Sequence, residues 1–156
     1  MSRINNKTNR GTTMRKITIV GGGQSGLQVG IGLLQAGHRV RVVQNRTAEE
    51  IAAGKVLSSQ CMFGAAVQNE RDLGIDFWSD ICPPVQGIGF AVPHPEQKGA
   101  KAIDWSARLD RDAYSVDQRV KIPRWLEEFT KLGGELVIAE AGNFPELALF
   151  FQQEVV

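Results

Sequence analysis

The strongest constraint on this chain is a change of pattern at residue 21. Ile17-Thr18-Ile19-Val20 is a short apolar run, and Gly21-Gly22-Gly23-Gln24-Ser25-Gly26 is a glycine loop. Leu27, Gly30, Ile31 and Leu34 then recur at i, i+3, i+4 and i+7, the period of an amphipathic helix. Strand, glycine loop and helix in that order are the context in which G-x-G-x-x-G reads as a dinucleotide fingerprint. Gly21 permits the tight turn out of the strand, and Gly23 lets backbone N–H groups approach a pyrophosphate. Gly26 removes the side chain that would hold the helix off the strand. Phosphates would sit at the helix N-terminus, where unpaired N–H groups and the macrodipole favour negative charge. Gly37 is placed to end the helix, and Val40, Val42 and Val43 supply the second strand of a right-handed βαβ unit. The fold class that follows is α/β, a Rossmann-like FAD/NAD(P)-binding domain.

At 156 residues the chain holds one domain's worth of material, short for an enzyme with both cofactor and substrate domains. Basic and acidic residues, 18 against 17, nearly cancel, so neither nucleic acid nor a membrane surface is an expected partner. Cys61 and Cys82 follow no metal or redox spacing and read as buried thiols in a reducing compartment. No apolar run reaches the length of a membrane span, and residues 1–13 lack a signal peptide's apolar segment. The default expectation is a soluble cytoplasmic protein with a disordered polar tail over 1–13. A basic arm, or a true start at Met14, are alternatives for that tail.

Where a cofactor with a free ribose hydroxyl usually meets Asp or Glu, the second strand ends in Gln44-Asn45-Arg46. Gln44 or Asn45 could bond a hydroxyl; Arg46 could pair with a 2′-phosphate or be a solvated loop residue. On these residues alone an NADP-dependent oxidoreductase is an open alternative. Thr47 to Glu50 forms a capping box for a short helix ending near Gly54. Lys55 is either a cation for a phosphate or a surface lysine. Ala65 to Leu73 reads as a helix closed by Gly74, followed by Phe77 and Trp78 as packing residues. Pro83-Pro84 should break the chain before a β-hairpin segment, residues 84–112. That segment has extended pieces at Ile88–Val92 and Lys101–Leu109 around a turn containing an exposed, non-catalytic His94. Ser115 and Gln118 form a second capping box, opening the longest helix with Val116, Val120, Leu126 and Phe129 on one face. Pro123 should kink or split that helix, and Gly133-Gly134 should end it. A strand over Leu136–Ala139 and a helix capped by Asn143 follow. Glu154-Val155-Val156 looks like the start of another strand, so the chain reads as incomplete at its C-terminus.

Four runs resemble the oxygenase component of the styrene/indole monooxygenases. They are Val56-Leu57-Ser58-Ser59-Gln60-Cys61-Met62-Phe63, Asp104-Trp105-Ser106-Ala107-Arg108-Leu109, Ser115-Val116-Asp117-Gln118-Arg119, and Trp125-Leu126-Glu127-Glu128-Phe129 before Gly133-Gly134. The likeness is colinear over Arg15–Val156, making residues 14–156 the N-terminal portion of an FAD-binding domain with a para-hydroxybenzoate-hydroxylase-like fold. It implies FAD as cofactor, with its ADP half on Gly21, Gly23, Gln24, Ser25 and Gly26. Gln44-Asn45-Arg46 matches a family pattern that also lacks an acidic residue there, which removes the case for NADP. Lys55 falls where a relative has an arginine near the flavin, Ser58 in a segment folded toward the isoalloxazine, and Arg119 on an arginine expected to face the flavin. The Gly87–Leu109 layer would begin the substrate-side wall. In such enzymes an NADH-dependent flavin reductase supplies reduced FAD. Molecular oxygen then gives a flavin C4a-hydroperoxide that epoxidises a small aromatic alkene or indole; a homodimer is compatible with this. No catalytic side chain or metal is expected, because the cofactor carries the chemistry. The rest of the family's sheet and substrate domain would follow Val156. The implied expectation is therefore weak or no FAD binding and no monooxygenase activity, or a catalytically inactive truncated remnant.

Overall fold

Four consecutive β-branched residues, Ile17 to Val20, make Lys16–Val20 the strand β1, and the glycine loop leads into α1 (Gln24–Gln35). In this computed structural model residues 13–56 and 59–140 are described. Leu27, Gly30 and Ile31 are buried on one face of α1, as their spacing requires, and Gly37 ends the helix at φ +85°. The next strand, β2 (Arg39–Gln44), buries Val40, Val42 and Val43 and runs parallel to β1, with Ile17 opposite Val40 and Val20 opposite Val43. β6 (Glu135–Ile138) pairs parallel with the other edge of β2, giving the order β1-β2-β6. Three parallel strands with a first crossover through α1 form the expected α/β, Rossmann-like core.

Two compact units divide the fold: residues 13–48 with 125–140, and residues 49–124. The first holds the parallel sheet. Its buried side chains include Trp125, Leu126 and Phe129 from the second half of α4 (Gln118–Lys131). Gly30 of α1 faces the Phe129 ring so closely that a Cβ there would lie 3.1 Å from it.

The boundary to the second unit falls at the start of the short α2 (Ala48–Ala52), a helix that begins directly after Thr47 as the capping box predicts. This unit contains β3 (Ser59–Met62), α3 (Gly64–Asp72), β4 (Pro84–Pro93) and β5 (Lys101–Asp117), in an antiparallel sheet ordered β3-β5-β4. Met62, Val67, Trp78, Cys82 and Val116 form its core. Cys82 is buried as expected, but Cys61 is exposed: period-two alternation along β3 turns Met62 inward and therefore Cys61 outward.

Three expectations for this unit need correction. Pro84 does not break the chain; it opens β4, an edge strand whose free side demands no N–H. The hairpin's second strand does not stop near Leu109 but continues to Asp117, past a bulge where Val85 pairs with Ala113 and Gly87 with Arg108. Ser115 and Val116 therefore belong to β5, where they pair with Cys61 and Gln60 of β3, and the long helix starts at Gln118. Pro123 leaves that helix undivided. The tail over 1–12, Ser58, the helix from Asn143 and the final apolar residues lie outside the described residues.

Candidate functional site

Backbone groups, not side chains, form the loop between β1 and α1. Gly21 adopts φ +103°, where a Cβ would be strained, and its N–H donates to the Val43 carbonyl at 2.8 Å. Gly23 is the N-cap residue, and its carbonyl accepts the first helical bond from the Leu27 N–H at 3.0 Å. A Cβ on Gly26 would meet the Gly21 carbonyl oxygen far inside the 3.0 Å that real Cβ atoms keep, so α1 rests directly on the loop. Around Gly23 the corresponding space is open. The helix has neither a side-chain cap nor an acidic residue in its first turn. N–H groups of that turn have no carbonyl partner within the helix. Such a surface fits a pyrophosphate: it offers donors and the positive end of a helix dipole, with no side chain in the way.

The tip of β2 is built differently from what its sequence suggests. Gln44 is 8% exposed, and its Nε2 donates to the Arg46 carbonyl at 2.6 Å. Its Oε1 occupies the place a Cβ on Gly22 would need. Gln44 thus braces the glycine loop from behind, while Asn45 and Arg46 are exposed beside it. Gly22 is not part of the fingerprint, yet its missing side chain makes room for Gln44. A third consecutive glycine opposite a long polar residue was the only signal in the sequence.

Gly21, Gly23, Gln24, Ser25, Gly26, Gln44, Asn45 and Arg46 are brought together in the first unit; Lys55 and Arg119 belong to the second. Lys55 is exposed in the loop after α2. Arg119 stands in the first turn of α4, where Asp117 controls it twice. The Asp117 Oδ1 accepts the Arg119 backbone N–H at 2.8 Å, an N-cap bond. The same carboxylate takes Arg119 Nε at 3.1–3.2 Å and Nη2 at 2.7 Å. These side-chain bonds, and then the backbone bond, hold the Asp117 carboxyl below its ordinary pKa. The bonded carboxylate likewise raises Arg119 above the usual guanidinium value.

Two residues along α4, Lys121 is buried with no exposed side-chain surface, and its amine donates to Glu70 Oε1 at 2.7 Å and Met62 Sδ at 2.6 Å. Glu70 Oε2 accepts the Trp78 indole N–H at 2.6 Å, and the Lys121 amine lies 5.4 Å from the Trp78 ring centre. Burial pushes the Glu70 carboxyl up and the Lys121 amine down; their mutual bond opposes both shifts. On the opposite flank of α3, Arg71 pairs with Asp76 at 3.3 Å and stacks on Tyr114. Neither Asp117 nor the buried pair was foreseen. A lysine amid Val120, Ile122 and Trp125 was the available signal for the latter.

The hairpin carries an apolar face. Register places Ile88 opposite Ala107, Phe90 opposite Trp105 and Val92 opposite Ile103, all on one side by alternation. Phe90 and Trp105 are each about half exposed, with ring centres 6.1 Å apart. His94 is partly buried rather than exposed: its Nδ1 accepts the N–H groups of Glu96 and Gln97 at 3.2 Å and so organises the turn. Among the described residues no group of His, Cys, Asp and Glu could hold a metal ion, and no helix is long and apolar enough to cross a membrane.

No family model and no curated protein matches the sequence. Solved structures do match the fold. The flavin-dependent brominase Bmp2 aligns with 17% identity and a TM-score of 0.59, over 78% of this chain and 28% of its own. The tetrameric form of 2-methyl-3-hydroxypyridine-5-carboxylic acid oxygenase aligns at 15% identity and 0.61, over 83% and 33%. The flavin-dependent monooxygenase PieE, solved in complex with FAD and substrate, aligns at 19% and 0.55, over 80% and 24%. The chain thus has the α/β fold of the corresponding part of flavin-dependent monooxygenases and spans a quarter to a third of their length.

Proposed function

We propose that this chain is the FAD-binding portion of a flavin-dependent monooxygenase of the two-component, styrene/indole type. The observation that carries the reading is the glycine loop Gly21–Gly23 leading into an uncapped helix N-terminus, on a fold shared with flavin monooxygenases. In this reading Gly21, Gly23, Gln24, Ser25 and Gly26 hold the pyrophosphate of FAD, and Asn45 and Arg46 flank its ribose. Gln44 keeps the loop in shape. Lys55, Ser58 and Arg119 serve the flavin half. Bound, FAD would supply the reaction with molecular oxygen that places one oxygen atom on the substrate.

The protein's own contribution is to bind, to orient and to exclude water; none of its side chains is assigned a chemical step. The apolar face with Phe90 and Trp105 begins the wall for a flat aromatic substrate such as styrene or indole. An NADH-dependent reductase is the proposed source of reduced FAD. The motif likeness in residues 56–63, 104–109 and 115–119 favours this type over other flavin monooxygenases.

Anaerobic calorimetry with reduced FAD and, separately, NADPH tests the assignment. Tighter binding of reduced FAD supports it. Tighter NADPH binding overturns it in favour of an NADP-dependent oxidoreductase. A titration with indole that leaves the amides of Ile88–Val92 and Ile103–Ala107 unmoved removes the hairpin from the substrate side.

A further inference from the structure

A guanidinium offers five N–H donors along two usable edges. In Arg119 the side edge, Nε and Nη2, is taken by the Asp117 carboxylate, while Nη1 has no partner among the described residues. The end edge, Nη1 with the second Nη2 hydrogen, is therefore unoccupied and points along a direction set by the clamp. The Asp117 carboxylate is fixed in turn, because its Oδ1 also caps α4 through the Arg119 N–H. An exposed arginine loses rotamer freedom when it is fixed in one geometry. Here the clamp fixes much of that geometry before any ligand arrives.

The floor under this turn is rigid as well. Two residues on, Lys121 is held by Glu70 and Met62 with no exposed side-chain surface. Arg124, one turn further, reaches the Phe77 carbonyl and pairs with Asp80 at 3.0 Å. Arg119, Lys121 and Arg124 thus share one six-residue stretch, but two of the three are committed to neighbouring elements of the unit. Arg119 alone is tied only within its own turn, by a contact that leaves three of its five side-chain N–H donors unused.

We propose that Asp117 is a positioning residue: it presents the end edge of Arg119 as a pre-oriented fork for an oxyanionic part of FAD. The proposal rests on the reading that Arg119 faces the cofactor. The Asp117 contact lowers the net charge at this point but raises the directional precision of the donors, which is the quality that discriminates a planar or forked acceptor from a diffuse counter-ion.

Two substitutions separate positioning from capping. Asp117→Asn retains an Oδ1 that caps the Arg119 N–H but removes the charged clamp; Asp117→Ser keeps only the capping bond. The readouts are FAD affinity by two-dimensional amide NMR titration, the thermal midpoint, and the Arg119 Nε–H signal without ligand. Expected are an exchange-protected Nε–H signal in the parent that is lost in Asp117→Asn, an unchanged midpoint, and FAD affinity lowered three- to fivefold, the scale of an exposed ion pair. Asp117→Ser should match Asp117→Asn in affinity. If Asp117→Asn binds FAD as the parent does while Arg119→Met weakens binding, Asp117 is a helix cap only and the proposal is overturned. If Arg119→Met also binds like the parent, the reading of Arg119 as a cofactor residue fails instead.

Discussion

The glycine loop of the first unit and the Glu70–Lys121 core of the second are opposite solutions to placing polar groups in a small fold. The loop carries no charged side chain, leaves the N-terminus of α1 without a side-chain cap, and keeps the space around Gly23 open. The core carries full charges with no exposed side-chain surface, and supplies each with a partner: Glu70 for Lys121, Trp78 for Glu70, Met62 beneath the amine. Donors at a helix N-terminus that no side chain covers are open to an anion, whereas paired charges that are inaccessible hold α3 to α4. The strength of an electrostatic feature therefore does not mark the candidate site; its accessibility does.

The largest expected effect falls on the closed network. Lys121→Ala leaves Glu70 buried beside Trp78 with its cation gone, and should cost about 3–5 kcal/mol in urea unfolding. The double change Glu70→Gln, Lys121→Met should cost less than Lys121→Ala alone, because no buried charge is then orphaned. Equal losses would mean that packing volume, not charge pairing, dominates there. Next comes Gly26→Ala. Its methyl meets backbone rather than a movable side chain, so α1 must lift off the loop; a loss of about 1–3 kcal/mol and of FAD binding is expected. A smaller effect is expected of Gly22→Ala, since the obstacle is the end of Gln44. Gln44→Ala in the same chain should restore most of the midpoint, and failure to do so would break the link between brace and loop.

The smallest effect concerns the Asp117 cap, worth about 1 kcal/mol. A carboxyl whose folded pKa lies below its unfolded value of about 3.9 contributes fully above that value and loses its contribution as pH falls through the folded one. The midpoint difference between the parent and Asp117→Ala should thus hold near neutral pH and shrink below about pH 4. A difference constant down to acid would rule out the ionised carboxylate as its source.

What was legible in the sequence followed from local periodicity. The presence and order of β1, α1 and β2, and the turn at Gly37, could be read because glycine spacing and a 3.6-residue apolar repeat need no tertiary information. The start of α4 was misplaced because Ser115-Val116-Asp117-Gln118 satisfies a capping pattern, yet Ser115 is committed to Cys61 across the sheet. Tertiary pairing overrode the local signal and moved the cap to Asp117, two residues on. The same limit hid the role of Gln44 and the pairing of Glu70 with Lys121, which are 51 residues apart. Contacts over such separations leave no periodic trace. The glycines of the candidate site were readable for the opposite reason, since the turn at Gly21 and the close packing at Gly26 involve backbone within six consecutive residues.

The account's central claim is that the loop is the pyrophosphate seat of FAD, and a nitrogen-15 amide spectrum titrated with FAD tests it most directly, even if affinity is only millimolar. The predicted result is that the amides of Gly21, Gly23, Gln24, Ser25 and Gly26 shift most and along one common saturation curve, and that Gly26→Ala abolishes these shifts. Unmoved loop amides at millimolar FAD, or a tighter curve with NADPH at the same residues, would contradict it.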